Sequence, residues 1–215
     1  MTVYDYTFYD LINRNAVCFN DRQAWFEVDD QRTLTFAEYK EQVDQLANGL
    51  QKIGVQKGDR IGVLGKNSLE YFLLYGASAA LGTILVVINW RLSAEEALFN
   101  LNDCEPKLLF VDAEFQEMIA GVKNNLSSAK HYFNLKPPGG DFTEFNTLMD
   151  GPGEFELIDV ATDDGWIVIH TAAVAGRPRG ALLTHGNLIG ANISLNLLFN
   201  LTAEDVHLNL LPLFH

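Results

Sequence analysis

The chain predicts an α/β fold, a mostly parallel sheet flanked by helices, and three observations predict it. Short apolar runs of strand length alternate with amphipathic helical runs. Brief turns join them, and several strand runs are apolar throughout, as strands covered on both faces are. The composition agrees: of 215 residues 48% are hydrophobic and 20% charged, enough apolar material to bury a substantial core.

Taken in order, the first ten residues lack the basic start and continuous apolar stretch of a secretory signal. A helix is expected from about Thr35, where Phe36, Tyr39, Val43, Leu46, Leu50 and Ile53 recur at steps of three and four. Thr35 and Glu38 form the T-x-x-E of a capping box, and Gly54 is placed to end the helix. After the turn Lys57-Gly58-Asp59 comes a strand over Arg60 to Gly65, a helix around Tyr71 to Leu81, and a largely β-branched strand over Thr83 to Ile88. Ser93 and Glu96 make a second capping box opening a short helix, Lys107 to Val111 reads as a strand, and Phe115, Met118, Ile119, Val122 and Leu126 line one face of a further helix.

The breaker-rich stretches 136–140 and 151–153 read as surface connections, with a short helix expected between them over Phe142 to Met149. Trp166 to Ile169 and Ala181 to Leu183 are apolar and strand-like. A helix is expected over Asn187 to Phe199, and a last strand over Val206 to Leu211. No internal repeat or low-complexity segment interrupts this order.

Charge narrows the function. Against 28 acidic residues there are 15 basic ones, a formal net charge of -13, which repels a phosphate backbone everywhere except at a local basic cluster and argues against nucleic acid. The uncharged stretch Tyr71 to Trp90 is long enough to cross a bilayer, but Gly76, Ser78, Gly82, Thr83 and Asn89 interrupt it, so a core helix followed by a core strand is expected and not a membrane span. Cys18 and Cys104, without C-x-x-C spacing, suggest buried thiols in a reducing compartment, and a cytoplasmic location is expected. His131, His170 and His207 have no metal-ligand spacing, so no metal site is expected, and no Ser-His-Asp arrangement is legible.

The one loop with evident chemistry runs from His170 to Gly180 between two apolar strands. Loops of small residues expose successive backbone N–H groups that converge on an anion, while Arg177 and Arg179 add charge and Thr171 and Thr184 add hydroxyl donors. The residues alone leave this beside a plainer reading, which composition favours: an ordinary strand–turn–strand connection with solvated arginines.

Thr171 to Gly180, followed by Ala-Leu-Leu-Thr-His-Gly-Asn187, resembles the phosphate-loop signature of the acyl-adenylate-forming superfamily, T-S-G-T-T-G-x-P-K-G with a trailing T-H-x-N. AMP-forming acyl-CoA synthetases, firefly luciferase and nonribosomal-peptide adenylation domains belong to it. Leu34 to Tyr39 is similar to the family's early helix start and Gly58 to Val63 to its G-D-R-V-A-I strand. Gly82 to Leu92 is similar to its G-x-x-x-x-P-x-N-x-R-L segment, with Val87 where proline is usual, and Leu211 to His215 to its L-P-x-F-H motif.

The resemblance implies that residues 1–215 form an incomplete N-terminal AMP-binding domain without the C-terminal lid domain, whose lysine is catalytic. It implies ATP, Mg²⁺ and coenzyme A as cofactors and a small-molecule carboxylic acid as substrate. Thr171, Ala172, Ala173, Val174, Ala175, Gly176, Arg179 and Gly180 fall at the phosphate contacts. His215 matches the histidine beside the acyl pocket, or is simply a free terminal side chain; His185 and Asn187 read as helix-start residues.

The loop departs from the pattern. Ala172, Ala173, Val174 and Ala175 stand for Ser, Gly, Thr and Thr, and Arg179 for the lysine. Three hydroxyls are lost, each worth roughly 1 kcal/mol or more as a charge-assisted bond, and Ala173 costs about as much again where φ > 0 is required. Arg179 keeps the charge and can grip a phosphate with two bonds. The alternative implied is a non-catalytic pseudoenzyme or interaction module that has lost nucleotide. A chain without its sheet partners also exposes an apolar face and is expected to associate with itself; light scattering from a clean monomer would remove that expectation.

Overall fold

The computed structural model describes residues 6–137, 139–171 and 177–215. Its frame is set by the strands that are apolar on both sides: β3 (Arg60–Leu64), β4 (Ile84–Ile88), β5 (Leu108–Val111), β6 (His131–Asn134) and β7 (Gly165–His170) run parallel, and β8 (Gly180–Thr184) pairs antiparallel with β7. Among the described residues they make a six-stranded sheet in the order β6-β5-β3-β4-β7-β8. The expected α/β class, mostly parallel with helices on both faces, is what forms.

Alternate side chains divide between two cores, as the period of two demands. Ile61, Val63, Leu85, Val87, Leu108 and Phe110 face the layer built by α1 (Phe8–Cys18), α2 (Phe36–Lys52) and α3 (Leu69–Leu81). Leu64, Val86, Ile88, Leu109 and Val111 face α4 (Ala94–Cys104) and α5 (Ala113–Val122). Val87, standing where the family has proline, pairs with Val63 on one side and Ile169 on the other.

The helix starts fall where the sequence places them. The Thr35 hydroxyl accepts from the Glu38 N–H at 3.2 Å while Glu38 takes the Thr35 N–H at 2.8 Å, and Ser93 and Glu96 repeat the arrangement. Ser68 caps α3 by accepting from the Tyr71 N–H at 3.2 Å, and Gly82, at φ +62°, ends it in the left-handed region where a glycine is least strained.

Five expectations need correction. Cys18, expected as a buried thiol, is exposed at the end of α1, which buries none of its residues, and Cys104 is only partly buried. Phe142 to Met149 is not a helix: one turn of 3₁₀-helix covers Phe145–Leu148, because Thr143 is extended and bridged to Phe133 while Phe142 packs on Tyr132. Leu126 lies past α5, beyond the 3₁₀ turn Lys123–Asn125, although it is buried as its apolar character demands. β8 is not a buried strand, since it forms the sheet edge and Leu182 is 52% exposed.

Val206 to Leu211 forms no strand; its apolar alternation at Val206, Leu208 and Leu210 points into solvent, because alternation states what a segment needs to cover it and does not supply the partner. Ile193, Leu197, Leu198 and Phe199 of α6 (His185–Phe199) are exposed as well. Besides these, the structure adds elements for which the sequence reading makes no provision: α1, the β1 (Gln23–Glu27) and β2 (Arg32–Thr35) hairpin, and β6.

The 3₁₀ turn is seated directly on α2, where a Cβ at Gly49 would overlap the Leu148 carbonyl. Gly49→Ala is therefore expected to destabilise by about 1–3 kcal/mol through overpacking, less about 1 kcal/mol gained in helix propensity, as read from the urea midpoint. A midpoint that rises on substitution would show that this seat yields freely.

Candidate functional site

The loop between β7 and β8 leaves from the carboxyl end of a parallel strand, the side on which open α/β sheets bind ligands. Its neck is fixed by the ladder: His170 pairs with Gly180, the Thr171 N–H donates to the Arg179 carbonyl at 3.0 Å, and the Arg179 N–H reaches the Thr171 hydroxyl oxygen at 3.4 Å. These bonds hold Thr171 and Arg179, both exposed, side by side across the neck. Among the described residues no carboxylate pairs with Arg179, and Arg177 stands with its guanidinium 5.6 Å from the ring centre of Phe99. Ala172, Ala173, Val174, Ala175 and Gly176 lie outside the described residues.

The T-H-x-N that follows is built into the scaffold. The Thr184 hydroxyl accepts from the Asn187 N–H at 3.1 Å and Asn187 Oδ1 accepts from the Thr184 N–H at 3.1 Å, so this pair is the capping box of α6 and the Thr184 oxygen is engaged there. His185 is fully buried. Its ring stacks on Trp166 at 5.2 Å and 10°, and its Nδ1 accepts from the Phe8 N–H at 3.2 Å, which ties α1 to the start of α6. Burial pushes the imidazole down to about pH 4, against the opposing pull of Asp164 and Asp10.

The segment ending at His215 is pinned to the same end of the sheet. Asn67, just after β3, accepts from the Leu213 N–H at 2.7 Å and donates to the Leu211 carbonyl at 2.9 Å, while the Tyr75 hydroxyl donates to the Leu213 carbonyl. Phe214 is buried edge-on to Trp90, which follows β4, and the exposed His215 ring lies against Phe214 at 5.9 Å. Nearby, a cleft of about 710 Å³ is lined by Arg32, Lys66, Asn67, Ser68, Asp112 and Lys136. Burial raises the Asp112 carboxyl to about 6 even though its Oδ2 accepts from the Lys66 N–H at 2.7 Å.

One constellation escapes any reading by spacing. His170 comes within 3.8 Å of Cys104 Sγ and 3.3 Å of Asp103 Oδ2, at separations of 66 and 67 positions. No local signal could have found it, since a strand end and a helix end meet there through the topology alone.

The model of the AMP-binding enzyme family matches residues 12–215. The chain belongs to this family. Among curated proteins it is 32% identical over 187 residues to an indoleacetate–CoA ligase of Aromatoleum aromaticum, covering 86% of this chain and 36% of that one. A feruloyl-CoA synthase of an Amycolatopsis species is 33% identical over 182 residues, covering 85% and 34%. Among solved structures, a protein described as a long-chain-fatty-acid CoA ligase of Rhodopseudomonas palustris superposes with a TM-score of 0.91 at 39% identity, over 100% of this chain and 53% of that one. The O-succinylbenzoate coenzyme A synthetase of Bacillus subtilis, solved with AMP, gives 0.81 at 26% identity, over 98% and 51%.

This AMP-binding family chain thus spans about a third of the length of the curated relatives it matches and about half of those solved relatives. The family's acyl-CoA ligases share its sheet and its helices on both faces. No helix among the described residues is long and apolar enough to cross a membrane.

The buried His185 gives a pH prediction. The unfolded chain takes up a proton there below its ordinary value of 6.5, the folded chain only below about 4, so this ring removes stability as pH falls through that window, by at most about 3 kcal/mol at 1.36 kcal/mol per pH unit. Asp112 acts oppositely: its folded carboxyl holds a proton up to about 6 and its unfolded one only to 3.8, so stability falls as pH rises between those values. Comparing the parent with His185→Gln cancels Asp112. The difference in unfolding free energy between the two is expected to change steadily from pH 6.5 to 4, and a flat difference would mean that the ring is solvated.

Proposed function

We propose that the chain is the N-terminal, AMP-binding part of an ATP-dependent acyl-CoA ligase and holds the nucleotide phosphates at the neck of its β7–β8 loop. The observation that carries the reading is the pairing of an exposed hydroxyl, Thr171, with an exposed cation, Arg179, that meets no carboxylate among the described residues, across the carboxyl end of a parallel strand in a chain that is otherwise strongly acidic. The family match supports it, as do relatives whose names state CoA ligase activity on aromatic carboxylic acids.

The overall reaction joins a carboxylate to AMP with release of pyrophosphate, after which the thiol of coenzyme A takes the acyl group and AMP leaves. Bound ATP supplies the AMP and the leaving group, with Mg²⁺ neutralising phosphate charge. The residues here fit a phosphate group. Arg179 offers a planar fork able to make two bonds, Thr171 a hydroxyl, and residues 172–176 and Gly180 a run of backbone N–H groups uncrowded by large side chains. The Ala-Ala-Val-Ala run leaves Arg179 and the backbone to do what three further hydroxyls share in the usual signature. His215, exposed in front of buried Phe214, is the side chain assigned to the acyl end. Since the chain covers only part of its relatives' length, the lid domain and its catalytic lysine are assigned to the rest of a longer protein.

The test is pyrophosphate release by the full-length protein given ATP, Mg²⁺ and a panel of fatty and aromatic acids. Arg179→Ala is expected to lower the rate by about tenfold to a hundredfold, the worth of one charge-assisted bond at about 1.5–3 kcal/mol, while Arg179→Lys keeps most of it. In the same assay the 215-residue chain alone is expected to form no CoA thioester. Release from no acid at all would favour the non-catalytic module that the altered loop also suggests, and activity indifferent to Arg179→Ala would move the phosphate site elsewhere.

A further inference from the structure

Asp103 and Cys104 occupy the last turn of α4, and His170 ends β7. The three ligand atoms of these side chains, one oxygen, one sulfur and one nitrogen, all lie within 4.8 Å of one another. We propose that Asp103, Cys104 and His170 form a binding site for a single zinc-class divalent cation, at the base of the β7–β8 hairpin beside the proposed phosphate contacts, with a fourth position open to water.

Geometry is the first argument. Bonds of about 2.0–2.1 Å to nitrogen and oxygen and about 2.3 Å to sulfur put tetrahedral zinc ligands about 3.3–3.6 Å apart. Here Nε2 stands 3.3 Å from Asp103 Oδ2 and 3.8 Å from Cys104 Sγ, and the half-exposed Asp103 side chain is free to adjust. The second argument is the ring itself. The His170 side chain is only 4% exposed, its Nδ1 is buried with no hydrogen-bond partner among the described residues, and its polar contacts all run from Nε2 toward the other two ligands.

Gly180 supplies the third. A Cβ there would come 3.4 Å from His170 Nε2 and 3.5 Å from Asp103 Oδ2, so the glycine keeps that side of the cluster clear. The cluster opens into a cleft of about 450 Å³ lined by Arg60, Ile84, Val168 and Leu182. Arg60 is the cation that lines this cleft. Its Nε donates to the Cys104 carbonyl at 2.5 Å and its guanidinium lies 3.7 Å from Glu105, which offsets its charge.

The donor set selects the metal. Thiolate and imidazole suit zinc and its neighbours, whereas Mg²⁺ takes oxygen ligands, so this site does not duplicate the ion that accompanies ATP. Binding replaces the Cys104 thiol proton with the metal, and Asp103 and His170 each contribute a lone pair.

Co²⁺ titrated into the purified chain under reducing, anaerobic conditions tests this. The expected result is a one-to-one complex with a sulfur-to-cobalt charge-transfer band, displaced by Zn²⁺. Cys104→Ser should abolish the band and weaken zinc at least tenfold in competition with a chelating dye, and Cys18→Ser should leave both unchanged. Asp103→Asn, at an exposed helix end where folding is not at stake, should weaken zinc by a similar factor, with circular dichroism confirming the fold of each variant. No band, a band that survives Cys104→Ser, or zinc affinity indifferent to both Cys104→Ser and Asp103→Asn overturns the proposal.

Discussion

The structure depends on β4 being held between β3 and β7. Leu85, Val86 and Val87 pair with Ile61, Gly62 and Val63 on one side and with Ile167, Val168 and Ile169 on the other. A strand so placed has no face or edge in water, and a near-continuous run of β-branched and leucine side chains is the composition that tolerates this. From that pairing the rest follows. The two cores lie on either side of it, the parallel direction brings the ends of β3, β4 and β7 to one rim, and that rim carries the phosphate-loop neck, the Asn67-held segment and Trp90. Gly62 fits the same constraint, since a Cβ there would collide with Leu109 Cδ1.

Capping fixes how the helices meet this sheet. Thr7 with Asp10, Thr35 with Glu38, Ser93 with Glu96 and Thr184 with Asn187 each satisfy two helix-end N–H groups reciprocally. The last pair matters most for the family motif. Its threonine and asparagine are held by the helix they begin, and the histidine between them is packed against Trp166 and Phe8. The motif that trails the phosphate loop is therefore an anchor, keeping β8, and with it Gly180 and Arg179, in place beneath the loop.

The proposed cation site uses the same hairpin at its neck. His170 and Gly180 are register partners, so the residue pair that closes the neck of the β7–β8 loop also frames the space between α4 and the sheet. Thr171 and Arg179 follow directly, so the two proposed sites would lie on adjoining backbone although their ligands differ in kind. β8 is an edge strand, and with exposed α6 and the exposed apolar residues 206, 208, 210 and 211 it forms the least covered flank of the described structure.

Much of this was legible in residues alone. Periodicities of two and 3.6, the capping pairs and the ordered family motifs gave the α/β class, the helix starts at Thr35 and Ser93, and the strands that flank the β7–β8 loop, because each is a local pattern with a local cause. The hairpin β1–β2, β6, the edge position of β8 and the unpaired course of Val206 to Leu211 were not, because pairing depends on a partner that no local pattern names. The same limit separates the two sites. The proposed phosphate loop could be read from sequence because its residues are contiguous; only the tertiary structure could bring Asp103 and Cys104 to His170, since a helix end and a strand end 66 positions apart become neighbours solely through the way α4 lies across the sheet.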